Sequence, residues 1–305
     1  MLAKIQKIWK DPLCILKKIM AKSDFSWMPD KPYLKIMYYL HIGKPLNLNN
    51  PITYCEKLQW LKLYNRKDEY VKMVDKCLVK EYITEKIGSG YVVPTLGVWD
   101  RAEDIDFDAL PERFVIKPTH DSGSIVICRD KSQLDIDTVR KQLNEGLQRQ
   151  YFYWGREWPY KFVKPRLIAE EFIEDTPGEA LRDYKYFCFD GVPKLMYISR
   201  DRAAEPTTDF FDMDFNLIDM RMRDKNSNVP VEKPKEFDAM RSIAERLSEN
   251  IPHLRVDFYV VNGQIYVGEL TFYHCSGFAT IHPDHWNYTL GSWITLPQPT
   301  ESNDE

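Results

Sequence analysis

Residues 255–271 read Arg255-Val-Asp257-Phe-Tyr-Val-Val261-Asn262-Gly263-Gln264-Ile-Tyr-Val-Gly268-Glu269-Leu-Thr271. Two runs rich in valine, isoleucine and tyrosine flank an Asn-Gly pair, a strong hairpin signal. The loop type decides which side chains meet. A two-residue turn pairs Val261 with Gln264, hence Asp257 with Gly268, and leaves Glu269 on the opposite face. A three-residue Val261-Asn262-Gly263 loop, with Gly263 left-handed in a G1 bulge, pairs Val260 with Gln264 instead. Asp257 and Glu269 then become diagonal neighbours, Arg255 stands opposite Glu269, and Thr271 joins the same face by alternation. The three-residue loop is therefore the expected one. Two carboxylates beside an arginine on otherwise apolar strands suit magnesium, which takes oxygen ligands from one or two carboxylates and from substrate phosphates. The same spacing also suits a surface hairpin closed by an Arg255–Glu269 ion pair.

Upstream, Arg113-Phe-Val-Ile-Lys117 and Ser124-Ile-Val-Ile-Cys128 read as strands joined by Pro118-Thr119-His120-Asp121-Ser122-Gly123. A lysine at a strand end beside a Gly/Ser/Thr turn can present an ammonium and backbone N–H groups to phosphate oxygens. It is not a Walker A loop, because GxxxxGK[ST] is absent and a strand follows. An ordinary β-hairpin is the plainer account of the same residues. Glu170 and Glu171 end the apolar run Leu167–Ile173, where carboxylates can accept from a nucleotide's amino group or ribose hydroxyls, or simply face solvent.

Residues 1–90 carry apolar side chains at helical spacing, ending at Gly88-Ser89-Gly90. Further strands are expected at 184–189 and 194–199, and helices at about 137–149 and 234–249. Tyr151 to Tyr160 fits neither pattern, and the polar, Asp-rich residues 200–232 read as a long functional loop. The mixture implies an α+β architecture. The expected divisions are a helical region at 1–90, a central lobe at 91–169, a C-terminal lobe at 170–297 and a polar tail at 298–305.

A net charge of −4 offers no general attraction for nucleic acid. Six cysteines, at 14, 55, 77, 128, 188 and 275, form no CxxC pair, which fits reduced thiols in a cytoplasmic protein. No apolar run reaches the roughly 18–20 residues that cross a bilayer. Six lysines among the first 22 residues interleave with apolar side chains. A signal peptide would have a longer uncharged apolar centre, so none is expected, and the pattern fits a helix covering part of the core or lying on the inner membrane face.

In order, Asp75-Lys76, Val-Ile-Lys117-Pro, the Gly/Ser turn, Glu-Glu-Phe-Ile, Arg-Val-Asp257 and Glu269-x-Thr271 resemble the ATP-grasp superfamily. Three longer phrases resemble its TupA-like group, found with bacterial cell-surface polysaccharide genes. They are Val-Ile-Lys-Pro-Thr-His-Asp-Ser-Gly, Asp183-Tyr-Lys-Tyr-Phe-Cys-Phe-Asp-Gly191 and Gly268-Glu-Leu-Thr-Phe-Tyr-His-Cys-Ser-Gly277. The closing His-Pro-Asp-His-Trp-Asn-Tyr-Thr-Leu-Gly is similar too, and the resemblance spans about residues 50–297.

It implies an ATP-grasp fold, with nucleotide between two α+β lobes, after a helical N-terminal region. It also implies ATP and Mg2+ as cofactors, and carboxylate–amine ligation through an acyl-phosphate. By position, Lys76, Lys117 and Lys185 would contact the nucleotide, and Thr119, Ser122, Gly123 and Ser124 would form a flexible lid over its phosphates. Glu170, Glu171, Phe172 and Ile173 would be the hinge that meets adenine. Asp257 and Glu269, with Thr271 where many relatives have Asn, would hold magnesium, and Arg255 would stabilise the acyl-phosphate and its adduct. Acceptor contacts would fall to Arg200, Arg202, His274, Ser276 and Gly277. The acceptor would be a sugar acid, an amino acid or a lipid-linked glycan.

Three other readings compete. Asp212-Met-Asp214 admits a nucleotide-sugar glycosyltransferase with a carboxylate-held metal. A non-catalytic nucleotide-binding protein attached through its basic N-terminus is the second. His274, Cys275, His282 and His285 admit a zinc site, although their spacing matches no common one.

Overall fold

Short sequence signals set the helix limits in the computed structural model, which describes residues 16, 19, 20, 25–174, 181–200, 206–227 and 229–300. Helix α1 (Asp30–Ile42) stops at Gly43, whose left-handed backbone (φ 78°) lets its N–H donate to Tyr39. Helix α2 (Tyr54–Tyr64) opens on a capping box between Thr53 and Glu56. Helix α3 (Glu69–Val74) is followed by Asp75, whose Oδ1 accepts from the N–H groups of Cys77 and Leu78 and so starts the chain into α4 (Val79–Ile87). Later come α5 (Ile136–Leu147), α6 (Tyr151–Gly155), α7 (Phe237–Leu247) and α8 (His285–Ser292).

Among the described residues ten strands form two antiparallel sheets. The first has the order β1-β4-β2-β3, from β1 (Thr95–Trp99), β2 (Phe114–Pro118), β3 (Val126–Cys128) and β4 (Leu167–Glu171). The second has the order β10-β9-β5-β6-β7-β8. Its strands are β5 (Asp183–Phe189), β6 (Val192–Arg200), β7 (Thr207–Asp212), β8 (Leu217–Ile218), β9 (His253–Val261) and β10 (Gln264–Thr271). The architecture is α+β, as expected.

Among the described residues two apolar cores result. Helix α5 covers the first sheet with Val139 and Leu143, against Phe114, Ile116 and Leu167. Helices α1–α4 do not pack on themselves alone. Tyr33, Leu34, Met37, Leu58 and Leu61 share one core with Phe187, Val256 and Leu270 of the second sheet. That shared core fixes α4 beside the hairpin, because apolar faces must be covered wherever a sheet offers one.

The polar stretch 200–232 is not a plain loop, since β7 and β8 extend the sheet there. Burial of Phe210 and Phe211 is the physical reason, and their pairing partners lie on β6 and β8, beyond the reach of local periodicity. Tyr151 to Tyr160 folds as α6 and part of a short 3-10 turn, Trp158–Lys161. Thr300 is tied down: its N–H donates to Tyr64 O at 2.7 Å and its hydroxyl accepts from Arg66 N–H. No helix among the described residues is long and apolar enough to cross a membrane. Most of the basic segment 1–22, residues 301–305 and Arg202 lie outside the described residues.

Candidate active site

The hairpin closes through a two-residue turn. Val261 pairs with Gln264, and both Asn262 (φ 50°) and Gly263 (φ 78°) are left-handed, the geometry that matches strand twist. The expected three-residue loop is therefore corrected. Asp257 nevertheless faces Glu269, because a bulge at Gly268 inserts one residue between Val267 and Glu269. Gly268 lies against the ring of Tyr259, where a Cβ would stand 2.5 Å from Cε2. After the bulge Thr271, not Glu269, stands opposite Arg255.

Arg255 organises this face. Its Nε donates to Asp257 Oδ1 at 2.6 Å, and its Nη2 to Asp257 Oδ2 at 2.8 Å, Thr271 Oγ1 at 2.9 Å and Glu269 Oε2 at 3.3 Å. Its Nη1 meets His274 Nδ1 at 2.7 Å. Lys185 also donates to Asp257 Oδ2 and lies 3.5 Å from Asp183. Burial alone would push the Asp257 carboxyl up, but the two cations outweigh it and hold it below its usual range. Burial and then Arg255 keep His274 well below the imidazole range, hence neutral and able to accept.

These contacts test the fit of magnesium. Asp257 is buried, with both oxygens engaged by cations. Glu269 differs: its side chain is 39 % exposed and it lines the cleft. Glu269 fits a hard cation as it stands, whereas Asp257 fits only if Lys185 or Arg255 gives way. Thr271 is already occupied as an acceptor for Arg255.

Between the sheets runs a cleft of about 290 Å³, walled by Val79, Ile83, Val93, Val115, Ile127 and Val267. At its floor Glu170 is clamped by two lysines, Lys117 Nζ at 2.5 Å and Lys80 Nζ at 2.6 Å. Burial raises the Glu170 carboxyl, and the lysines outweigh that and lower it overall. Sequence reading missed Lys80. Its signal was available, since Val79 and Ile83 mark the apolar side of α4 and Lys80 adjoins it in the first turn. Burial lowers both lysines below the ordinary ammonium range.

Strand β4 ends at Glu171, so the backbone of Phe172 and Ile173 leaves the ladder at the cleft wall. The Phe172 ring lies under the guanidinium groups of Arg113 (4.1 Å) and Arg129 (5.0 Å), both pinned by Glu174. Cation–π contact and the shared carboxylate stiffen this segment.

The turn expected to be a flexible lid is anchored at its root. Thr119 is fully buried; its N–H donates to Arg166 O and its hydroxyl to Lys164 O, so its side chain is turned away from the cleft. Asp121 accepts from Ser124 Oγ, and its carbonyl accepts from Lys76 Nζ. Only Ser122 and Gly123 (φ 99°) are exposed at the tip. With Lys76, Lys117, Ser124 and Glu269 they line a compartment of about 170 Å³ that continues the cleft.

Past Glu269 the space widens to about 550 Å³ among Tyr151, Glu157, Tyr160, Tyr197, Arg255 and His274. Ser276 lines it, in the left-handed run Cys275-Ser276-Gly277 (φ 49°, 53°, 64°). The strain of two non-glycine residues there, about 1–3 kcal/mol each, is met by α2. Gln59 donates to the carbonyls of Ser276 and Gly277, and Lys62 to the Ser276 carbonyl and hydroxyl. Burial drops Lys62 to about 7 and, against the pull of Lys62, raises the Glu157 carboxyl. Arg200 is directed elsewhere, donating to Pro230 O at 3.3 Å.

Among the described residues no three His, Cys, Asp or Glu side chains are grouped to hold a metal, so the zinc set does not assemble. Asp212 spends its oxygens on its own turn, accepting from the N–H groups of Asp214 and Asn216 and from the Asn216 amide. The Asp-x-Asp pair is therefore a β7–β8 turn.

Residues 56–295 match the family model described as TupA-like ATPgrasp, and the chain belongs to that family. Among solved structures it is similar to D-alanine–D-alanine ligase from Bacillus anthracis complexed with ATP. Identity is 17%, coverage 66% of this chain and 54% of that one, and the TM-score 0.39. The D-alanine–D-alanine ligase from Helicobacter pylori gives 12% identity, coverage of 79% and 68%, and a TM-score of 0.42. The ATP-grasp ligase PsnB, complexed with minimal precursor, Mg and ADP, gives 14%, 71% and 57%, and 0.37. The chain thus spans little more than half the length of the first and third of these. No curated protein matches its sequence.

Proposed function

We propose that this member of the TupA-like ATP-grasp family is an ATP-dependent carboxylate–amine ligase. The observation that carries the reading is that Glu269 and Ser122 line both the phosphate compartment and the wide cavity beyond it. A nucleotide seated in the cleft would thus point its last phosphate at a second substrate.

In this reading, adenine lies between the apolar walls and the backbone of residues 171–173, while Lys76 and Lys117 face its phosphates and Lys80 holds Glu170. A carboxylate oxygen of the substrate attacks the γ-phosphorus, ADP leaves, and an acyl-phosphate forms. The amine nitrogen then attacks the acyl carbon, loses a proton and expels inorganic phosphate, giving an amide. Lysines, Arg255 and the anchored turn supply positioning and charge neutralisation, the main sources of rate in such transfers. Magnesium, held by Glu269, would neutralise phosphate charge when bound. Arg255 suits the acyl-phosphate because it is fixed by Asp257, Thr271 and His274 before substrate arrives.

The acceptor we infer is a sugar acid or amino acid destined for a cell-surface polysaccharide. Support comes from the family and from a cavity that offers aromatic faces beside both signs of charge. The test is ADP release from Mg-ATP with paired sugar acids and amino acids. An unchanged rate in Glu269→Ala would remove the site assignment, and absence of an amide product by mass would remove the ligase.

A further inference from the structure

Beyond the wide cavity lies a second space of about 490 Å³, lined by His41, Trp154, Arg221, Arg223, Lys225 and His282 among others. It shares Trp154, Met222, Arg223, Asp224 and Cys275 with the acceptor cavity, so the two are continuous. It shares no lining residue with the compartment of Lys76 and Lys117, where ATP phosphates are placed.

One side of it is formed by residues 221–225. Arg221 and His282 exchange backbone hydrogen bonds at 2.7 and 2.8 Å, and Lys225 O accepts from Thr208 N–H at 2.9 Å. Met222 is buried, whereas Arg221, Arg223 and Lys225 are exposed. Three such cations meet one lining carboxylate, Asp224, which is 3.8 Å from an Arg223 side chain that is 78 % exposed. Among the described residues neither Arg221 nor Lys225 forms an ion pair. This concentration of positive charge occurs in a chain of net charge −4.

We propose that this vestibule binds a phosphate or diphosphate group carried by the acceptor. The proposal rests on the ligase reading only in naming the molecule an acceptor. Guanidinium groups bind phosphate oxygens in pairs, and several cations in one concavity favour a multiply charged anion over a single carboxylate. The diphosphate remains outside while the group to be modified reaches past Trp154 toward Arg255 and Glu269.

The test is calorimetric titration of sodium pyrophosphate into protein saturated with ADP, without magnesium. One further equivalent is expected. Arg221→Gln combined with Lys225→Gln should weaken it about tenfold or more, with ADP affinity unchanged as the check of folding. Lys225→Gln alone should weaken it less, and added salt should weaken it in the wild type. UDP and geranyl diphosphate, titrated in parallel, identify a nucleotide-linked or lipid-linked source by which of them binds more tightly than pyrophosphate. Failure of pyrophosphate to bind the ADP-loaded protein, or equal binding to the double variant, overturns the proposal. No turnover is read, so failure of ligation leaves this result intact.

Discussion

Gly268 lies flat against the ring of Tyr259, closely enough that a Cβ on Gly268 would sit 2.5 Å from the ring edge. This contact marks the bulge that returns Glu269 to the face of Asp257 after a turn that would otherwise separate them. Gly268→Ala must drive the ring aside, into the cleft that Tyr259 lines. Weaker ATP binding is expected, with about 1–3 kcal/mol of lost stability from overpacking. Nucleotide titration and urea unfolding measure the two effects. Combined with Tyr259→Ala, the stability loss should shrink, because the clashing ring is gone.

Arg255 and Asp257 form a buried pair with two hydrogen bonds. Arg255→Met leaves Asp257 paired with Lys185 alone, and about 3–5 kcal/mol of stability should be lost. Arg255→Met with Asp257→Leu should recover part of it, since the buried Asp257 charge is gone and Lys185 keeps Asp183 at 3.5 Å. Activity should be absent from both variants, which separates the structural role from the chemical one.

Lys80 shares Glu170 with Lys117. Lys80→Met should raise the KM for ATP about tenfold, the scale of one lost charge-assisted hydrogen bond. Lys117→Met, which removes a lysine that also lines the phosphate compartment, should lower kcat as well. Equal effects on KM and kcat from the two variants would show that Lys80 does more than hold Glu170.

His253 is buried and neutral: Nδ1 lies 2.8 Å from Phe272 O and Nε2 3.0 Å from the Tyr54 hydroxyl. Burial lowers its pKa from 6.5 to about 4. Between those values the unfolded chain binds a proton that the folded one does not, so stability falls as pH falls. The slope is about 1.4 kcal/mol per pH unit for this group, and it flattens below pH 4. Urea unfolding from pH 7 to 4 should show a shallower acid limb in His253→Gln. His274, also lowered, keeps its own contribution in that variant.

Asp212 and Asp214 belong to a turn. Asp212→Ala should cost about 1 kcal/mol from the lost hydrogen bonds and leave ATP-dependent turnover intact. A glycosyltransferase would instead lose its metal. Stabilisation by UDP-sugars but not ATP would favour that reading.

Local patterns made much of this protein legible. The Asn-Gly pair, the apolar runs Phe114 to Ile116 and Leu167 to Ala169, and the apolar helical spacing before Gly88 located most elements, because each depends on neighbours a few residues away. Lysine and carboxylate positions within those elements then marked Lys117, Glu170 and Glu269 as cleft residues, and the family resemblance added Lys76.

What tertiary structure alone decided was how those elements meet. Asn262-Gly263 fixes the turn locally, but the register beyond it depends on where an extra residue enters, and there Gly268 lies against Tyr259 on the neighbouring strand. Lys80 meets Glu170 only because α4 packs beside the first sheet, and Asp257, already held by Arg255 on its own strand, gains a second cation because Lys185 arrives from β5. The turn at Thr119 to Ser124 is anchored at its root because Thr119 and Asp121 bond to residues 76, 164 and 166. Each of these outcomes is a contact between distant segments, whose energy appears in no local window of the sequence.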